Sequence, residues 1–238
     1  MKVTLARARE VHSGHTRTMD GQDRVSVVTA LRSTLHVDLT ATLVQPTSSA
    51  QVYGAIVQVS WSPDNGPDVD PETLSELVGV DTESYLPELS SLLPDTVTVD
   101  VGHGEFVSAD LSAPDCLQEL EDIGPGVGLV GKALYGEGLQ QKELRASYDI
   151  AHEHAVIVAH MEIDDQWRSA GYGLLATELV LAELGRAADV AALFPMKPGL
   201  HDLVERDAAA RALADYWGRI GFAEFNGIMA MALPIAQG

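Results

Sequence analysis

The sequence predicts an α/β fold, with one mixed, largely antiparallel central sheet and helices on both faces. The amino-terminal part reads mostly as strands, and the carboxy-terminal part follows the order strand, helix, strand, helix, hairpin. With 238 residues, of which 46% are hydrophobic, the chain can bury one substantial core. We expect a single domain over residues 1–238. Residues 1–150 should supply the first strands and helices plus an elaboration, and residues 151–238 should form the better-patterned core.

Two strands are predicted near the amino terminus. Residues 36–44 and 53–61 alternate apolar and polar side chains, which is the period of a half-buried strand. The connection between them is short and contains Pro46, so we expect a hairpin. Residues 62–71 contain three prolines and an Asn-Gly pair, and they predict a loop.

The middle of the chain alternates between helical and extended patterns. Apolar residues recur at helical spacing over residues 71–78, 85–93 and 116–123, which predicts three helices. A short strand is predicted between the last two, at residues 97–101.

A glycine motif follows these elements. Residues 126–131 read GVGLVG and fit the dinucleotide-binding fingerprint G-x-G-x-x-G. That fingerprint works only between a strand and a helix. Residues 117–122 read as helical, and further glycines follow soon after, so the expected βαβ unit is missing. We therefore expect a glycine-rich loop here.

The carboxy-terminal half is patterned more clearly. Residues 155–163 predict a largely apolar strand, residues 174–184 a buried helix and residues 190–194 a second strand. Asp207 is the predicted cap of a helix over residues 208–220.

The chain then reaches its strongest hairpin pattern. Residues 222–225 and 228–233 flank Asn226 and Gly227, a pair that favours a tight two-residue turn.

Composition limits the function classes. The net charge is −20, and residues 33–131 contain no Lys or Arg. Such a surface repels phosphate backbones, so nucleic acid is not an expected partner, whereas a cationic amine would be concentrated. The same charge is also typical of a protein that only requires solubility.

The cysteine content and the lack of a long apolar run predict a cytoplasmic location. The single cysteine, Cys116, excludes an internal disulfide and favours a reducing cytoplasm. No run of 18 uncharged apolar residues is present, so no membrane association is expected. The composition leaves open whether the chain forms a homodimer.

One junction between a predicted strand and a predicted helix has the parts of a pyrophosphate site. Gly171 and Gly173 let the backbone approach an anion closely, and Gly171 lies where the helix is about to begin. A helix amino terminus carries unpaired N–H groups and partial positive charge, both suited to phosphate. Arg168 adds a fixed cation with several donors.

These residues resemble the GNAT (GCN5-related) N-acetyltransferase superfamily, whose motif is (Arg or Gln)-x-x-Gly-x-(Gly or Ala) after the fourth strand. Arg168, Gly171 and Gly173 match it, and the Gly221-Phe222 pair before the final hairpin is similar to the family's. The resemblance covers residues 153–233, and the first 150 residues show no motif that aligns.

The resemblance implies acetyl-CoA as cosubstrate and acetyl transfer to an amine of a small molecule or protein, without a metal. It implies that pantetheine runs beside the main chain of residues 161–163 and that an N–H near Met161 binds the oxyanion. The implied cofactor-binding residues are Met161, Ile163, Arg168, Ser169, Ala170, Gly171, Tyr172, Gly173 and Leu174.

The catalytic candidates follow from strand alternation and from the family's general acid. His160, Glu162 and Asp164 share one face of the predicted strand. Glu162 is the first candidate for the general base and His160 the second. The family's thiolate-protonating tyrosine falls at Trp217 here, so the adjacent Tyr216 is the remaining candidate acid, with packing as its other interpretation.

Alternative functions stay open at this stage. The missing tyrosine favours a non-catalytic CoA-binding or interaction module, and a different acyl-CoA donor is a further possibility. The pairs His12–His15 and His152–His154 lack a third ligand at a recognised spacing, so no metal ligand is predicted.

Overall fold

The structure is a computed structural model. It describes residues 26, 28–42, 48–62, 97–135, 153–196 and 202–234. The helices predicted over residues 71–78 and 85–93 lie outside the described residues, as does the loop predicted over residues 62–71, except for Ser62. His12, His15 and His152 also lie outside them.

Seven strands form one mixed, largely antiparallel sheet, which confirms the predicted α/β class. Their order across the sheet is β1-β2-β3-β4-β5-β7-β6. Strands β4 and β5 are parallel, whereas β7 is antiparallel to both β5 and β6. The strands are β1 (Leu35–Thr42), β2 (Ala50–Trp61), β3 (Val97–Asp110), β4 (His154–Ile163), β5 (Val190–Leu193), β6 (Ala223–Phe225) and β7 (Ile228–Ala232).

Four of the α-helices can be compared with the sequence predictions. They are α1 (Cys116–Ile123), α2 (Pro125–Tyr135), α3 (Tyr172–Leu184) and α4 (Leu203–Gly218). Short 3₁₀ turns cover Arg32–Thr34, Asp165–Trp167 and Gly185–Ala187. Helix α1 has the predicted bounds, and the order strand, helix, strand, helix, hairpin is confirmed from β4 to β7.

The chain divides into two compact units. The first comprises Met1–Asp38, Ile56–Gly102 and Ile163–Ala176, and the second comprises Leu39–Ala55, His103–Glu162 and Thr177–Gly238.

The second unit contains a continuous apolar core between α1, α2 and one face of the sheet. The opposite face of β4 and β5 is buried as well, since Val156 and Ala191 are fully inaccessible. Central strands covered on both faces explain why β4 and β5 read as apolar runs. The core residues on the α1–α2 side include Leu120, Val127, Val130, Leu134, Val107, Ala155, Ile157, Val190, Ala192 and Ala230.

The glycine-rich loop predicted at residues 126–131 is wrong, because these residues lie inside helix α2. A Cβ on Gly131 would come within 2.8 Å of Leu120 Cδ1, and one on Gly128 within 3.1 Å of the Glu121 Cα. The glycines therefore allow α2 to pack closely on α1. The segment before them is a helix, as predicted, so the dinucleotide arrangement is absent here.

Two other boundaries differ from the sequence prediction. Strand β3 continues well past residue 101 and includes Gly104. A Cβ at Gly104 would lie 2.8 Å from Met161 Cε, so glycine allows the close approach of Met161 to the strand. Helix α4 begins earlier than residue 208, since the Asp202 side chain accepts from Val204 N and Glu205 N at 2.9 and 3.0 Å. Asp202 is thus the cap in place of Asp207.

The predicted hairpin at the carboxy terminus is confirmed. Asn226 and Gly227 have φ of 48° and 78°, the left-handed pair that a tight turn between β6 and β7 needs.

Candidate functional site

The first unit holds the predicted anion-binding turn between β4 and α3. Two buried aromatic residues flank this turn. Trp167 is fully buried, and Tyr172 is 1% exposed and donates its hydroxyl to the Val28 carbonyl at 2.6 Å. Their rings meet edge to face with centroids 5.8 Å apart. Burial raises the pKa of the Tyr172 phenol, so Tyr172 is a neutral anchor for the turn.

Gly171 ends the turn and starts the helix. Its φ is +79°, a conformation that favours glycine, and its carbonyl accepts the Leu175 N–H at 3.1 Å. Helix α3 therefore begins immediately after a left-handed residue, and its positive end faces the turn. Ser169 also has a positive φ, of 74°, so two of the four turn residues adopt this region.

Two arginines lie at this turn. Arg168 donates Nε to the Ile163 carbonyl at 2.8 Å, and its Nη1 lies 2.6 Å from Asp165 Oδ1. These contacts fix the guanidinium beside the turn. The Arg32 guanidinium lies so close to Gly171 that a Cβ there would be 3.7 Å from its Cζ. Sequence reasoning missed Arg32, because no spacing relates a residue so early in the chain to Gly171.

The other predicted cofactor residues differ in exposure. Ser169 is exposed, Ala170 and Gly171 are partly exposed, and Gly173 and Leu174 are buried. The turn itself, residues 168–171, is therefore the accessible part. The Ile163 carbonyl is already an acceptor for Arg168, which removes one of the main-chain groups that pantetheine was expected to use.

The second unit holds the catalytic candidates on β4. His160 Nε2 lies 3.5 Å from Glu162 Oε2, so the two residues share a face, as strand alternation predicts. A third residue, His103 on β3, places Nε2 4.0 Å from the same oxygen. Met161 points to the other face, against Gly104. Asp164 belongs to the first unit, where its N–H donates to the Val101 carbonyl at 2.9 Å.

A β-bulge in β4 sets this shared face. Just outside the two strands, Leu111 N–H donates to the Glu153 carbonyl at 2.7 Å. From Leu111 back to His103 is eight residues, whereas from Glu153 to Glu162 is nine, although His103 and Glu162 meet on one face. One extra residue in β4 explains the mismatch. It turns His160 and Glu162 to the side of the sheet that carries His103.

Strand β4 also extends beyond the end of its parallel neighbour, β5. The pairing with β5 covers Ala155 to Val158, and β5 ends at Leu193. Because Asp164 directs its N–H toward β3, alternation directs the main-chain groups of Met161 and Ile163 away from β3. Beyond Val158 these groups therefore point to the side where β5 has ended.

Tyr216 and Trp217 lie in a small aromatic group. The ring centroids of Tyr216 and Trp217 are 5.1 Å apart, and those of Trp217 and Phe222 are 6.1 Å apart. Trp217 is 8% exposed and Tyr216 partly buried. Both residues contribute to packing, and the acid role of Tyr216 stays a prediction.

The lone cysteine lies apart from these groups. Cys116 is fully buried in the core of the second unit, and burial raises the pKa of its thiol to about 11. It is a packing residue, because a buried neutral thiol is a poor nucleophile.

Comparison of the chain with protein-family models, with curated proteins and with solved structures gives no significant match. Among the residues that the structure describes, no helix is long and apolar enough to cross a membrane.

Proposed function

We propose that the chain is an acetyl-CoA-dependent N-acetyltransferase with the GNAT fold, which acts on an amine of a small molecule or a protein. The observation that carries the proposal is the turn of residues 168–171. It joins a left-handed Gly171, a helix amino terminus and the guanidinium groups of Arg32 and Arg168.

The charge of the chain makes this turn informative. The protein has 35 acidic residues against 15 Lys and Arg, yet two guanidinium groups lie at one helix amino terminus, one of them paired with Asp165. A pyrophosphate is a ligand that such a site suits, since the helix dipole and fixed N–H donors favour a compact anion.

The sheet gives independent support for the GNAT fold. Among the described residues, the turn follows the fourth strand of the sheet, the position that the family motif occupies, and a helix, a parallel strand and a final hairpin come after it. The end of β4 also offers main-chain groups of Met161 beyond the last β5 pair, where the family resemblance implies a pantetheine chain.

Glu162 is the proposed general base and His160 the alternative. The amine must lose a proton to attack the thioester, and an exposed carboxylate beside an imidazole can accept it. Tyr216 is the proposed acid for the thiolate. Glu162→Gln keeps the shape and removes basicity, so kcat/KM should fall by roughly 10²- to 10⁴-fold.

The first experiment is ligand-dependent thermal unfolding with acetyl-CoA. A ligand that binds only the folded state raises Tm, and Arg32→Ala and Arg168→Ala should each reduce that increase. Arg186→Ala is the matched control, because Arg186 is an exposed arginine paired with Glu183 after α3. Absence of any Tm increase at millimolar acetyl-CoA would contradict the proposal.

A non-catalytic CoA-binding module is the second candidate. Its support is Trp217, a buried indole packed on Phe222 at the position where the family has its acid. The two candidates separate when free thiol is followed across a panel of amines. Thiol release supports the transferase, and a Tm increase without thiol release for any amine supports the module.

A further inference from the structure

We propose that His103, His160 and Glu162 form a binding site for a single divalent transition-metal ion of the zinc type. Among the described residues, these three bring one ligand atom each to within 4.8 Å of one another. All three belong to the second unit. Two of the ligands, Glu162 and His160, are the proposed general base and its alternative, so an ion bound there would compete with that role. The proposal itself does not rest on acetyl transfer.

The geometry is close to that of a bound ion. Glu162 Oε2 is 3.5 Å from His160 Nε2 and 4.0 Å from His103 Nε2, and the imidazole centroids are 5.4 Å apart. A tetrahedral ion with bonds of about 2.0–2.1 Å places its ligand atoms roughly 3.3 Å apart. Exposed side chains reach that spacing by small rotations, so the backbone need not move.

The strands hold the three residues in a fixed relation. His103 lies on β3 and the other two lie on β4, its hydrogen-bonded neighbour in the sheet. The β4 bulge is what turns His160 and Glu162 to the side of His103. Bulges commonly re-aim side chains next to functional sites, and rigid strands position ligands better than loops do.

The contacts between Glu162 and the two imidazoles are longer than typical hydrogen bonds. Distances of 3.5 and 4.0 Å exceed the usual range of about 2.7–3.2 Å for an N–H donor and a carboxylate. A divalent cation held among the three atoms would bind all of them, with both imidazoles neutral and the carboxylate ionised.

The ligand set and the surrounding charge indicate the class of ion. Two imidazoles and one carboxylate suit zinc and its neighbours, and such three-ligand sites leave one position open to water. Calcium and magnesium prefer oxygen ligands and are not expected. Glu105, exposed two residues along β3, adds negative charge, and residues 33–131 contribute no Lys or Arg.

The test is a zinc titration of the tag-free, chelator-treated full chain against a chromophoric competitor, without acetyl-CoA. We expect one ion per chain with a Kd of about 10 µM or tighter. His103→Gln should weaken binding by at least about tenfold, since removal even of a supporting residue around a metal has that effect. Cobalt should give the visible absorption of a four- or five-coordinate site, which His103→Gln should abolish.

The paired control is the double variant His12→Gln/His15→Gln. It removes a histidine pair near the start of the sequence that is not part of the proposed site, and it should bind zinc as the wild type does. The proposal is overturned if zinc binds more weakly than about 100 µM, or if His103→Gln retains wild-type affinity. It is also overturned if the His12/His15 variant, and not His103→Gln, loses the ion. Because His103 is exposed, an unchanged Tm for His103→Gln confirms that any loss comes from the ligand and not from misfolding.

Discussion

Two glycine motifs serve different purposes in this molecule. At residues 126–131 the glycines lie inside helix α2, and their missing side chains let that helix approach α1. At residue 171 the glycine adopts a φ of +79° and ends a turn at the start of α3, beside two guanidinium groups. The comparison shows that two local properties distinguish a glycine that packs a helix from one that forms a turn. One is the sign of φ, and the other is what a Cβ would touch.

The largest expected effect separates the two motifs by ligand. Gly171→Val places a β-branched residue in a left-handed conformation and crowds the Arg32 guanidinium. The acetyl-CoA-dependent stabilisation, about 2.7 kcal/mol when the ligand is at 100 times its Kd, should disappear. The measurement is Tm with and without acetyl-CoA. Ligand stabilisation equal to that of the wild type would show that the turn does not bind the cofactor.

The second prediction is the counterpart in the helix pair. Gly131→Val should lower the free energy of unfolding by about 1–3 kcal/mol, because the new side chain overlaps Leu120 and Leu117 in a packed region. The acetyl-CoA stabilisation should be retained. Urea unfolding measures the first quantity and ligand-dependent Tm the second. A stable Gly131→Val variant would mean that α1 and α2 can separate without cost.

These two motifs also show how far the sequence alone could lead. Residues 116–123 and the Asn226–Gly227 turn were predictable, since their information is local. Helix α2 was not, because three glycines and a proline lower helix propensity, and only packing on α1 outweighs that preference.

The residues of the candidate sites also divide into those with local sequence information and those that depend on the tertiary fold. The turn of residues 168–171 was predicted from contiguous residues, and so was the shared face of His160 and Glu162. Arg32 and His103 were missed, because each reaches its site through the tertiary fold. A bulge in β4 also shifts strand register without leaving a sequence signal.

The third prediction concerns what Glu119, on helix α1, contributes to the free energy of unfolding. Glu119 accepts hydrogen bonds from Ser48 Oγ, Ser49 Oγ and Ala50 N at 2.7, 2.8 and 2.9 Å. The Ser48 bond is the largest cause that holds the pKa of Glu119 below its usual range. Glu119→Gln should cost about 1 kcal/mol at neutral pH, a value reduced for partial solvent exposure.

The pH dependence of that cost has a defined sign. A lowered folded-state pKa stabilises the protein fully above the unfolded value, about 4.3 for Glu, and the contribution is lost as pH falls through the lower folded value. The difference between wild type and Glu119→Gln in urea unfolding should therefore shrink below about pH 4. Glu121→Gln is the control, since its exposed pair with Lys132 at 2.7 Å should contribute no more than about 0.5 kcal/mol. A difference that grows in acid would contradict the assignment.

The smallest expected effect has the opposite sign, and it compares the two motifs most directly. Gly126 lies in the first turn of α2, its φ is outside the left-handed region, and a Cβ there would meet nothing within 4 Å. Gly126→Ala should therefore stabilise the protein by about 0.5 kcal/mol, because alanine has less freedom to lose from the unfolded chain. Gly171→Ala, the same chemical change, should destabilise it by about 1 kcal/mol or more, since alanine at that positive φ is strained. Urea unfolding of both variants at one pH measures the contrast. If Gly126→Ala were destabilising instead, the result would contradict a helical residue 126. It would favour the glycine-rich loop that the sequence predicts for residues 126–131.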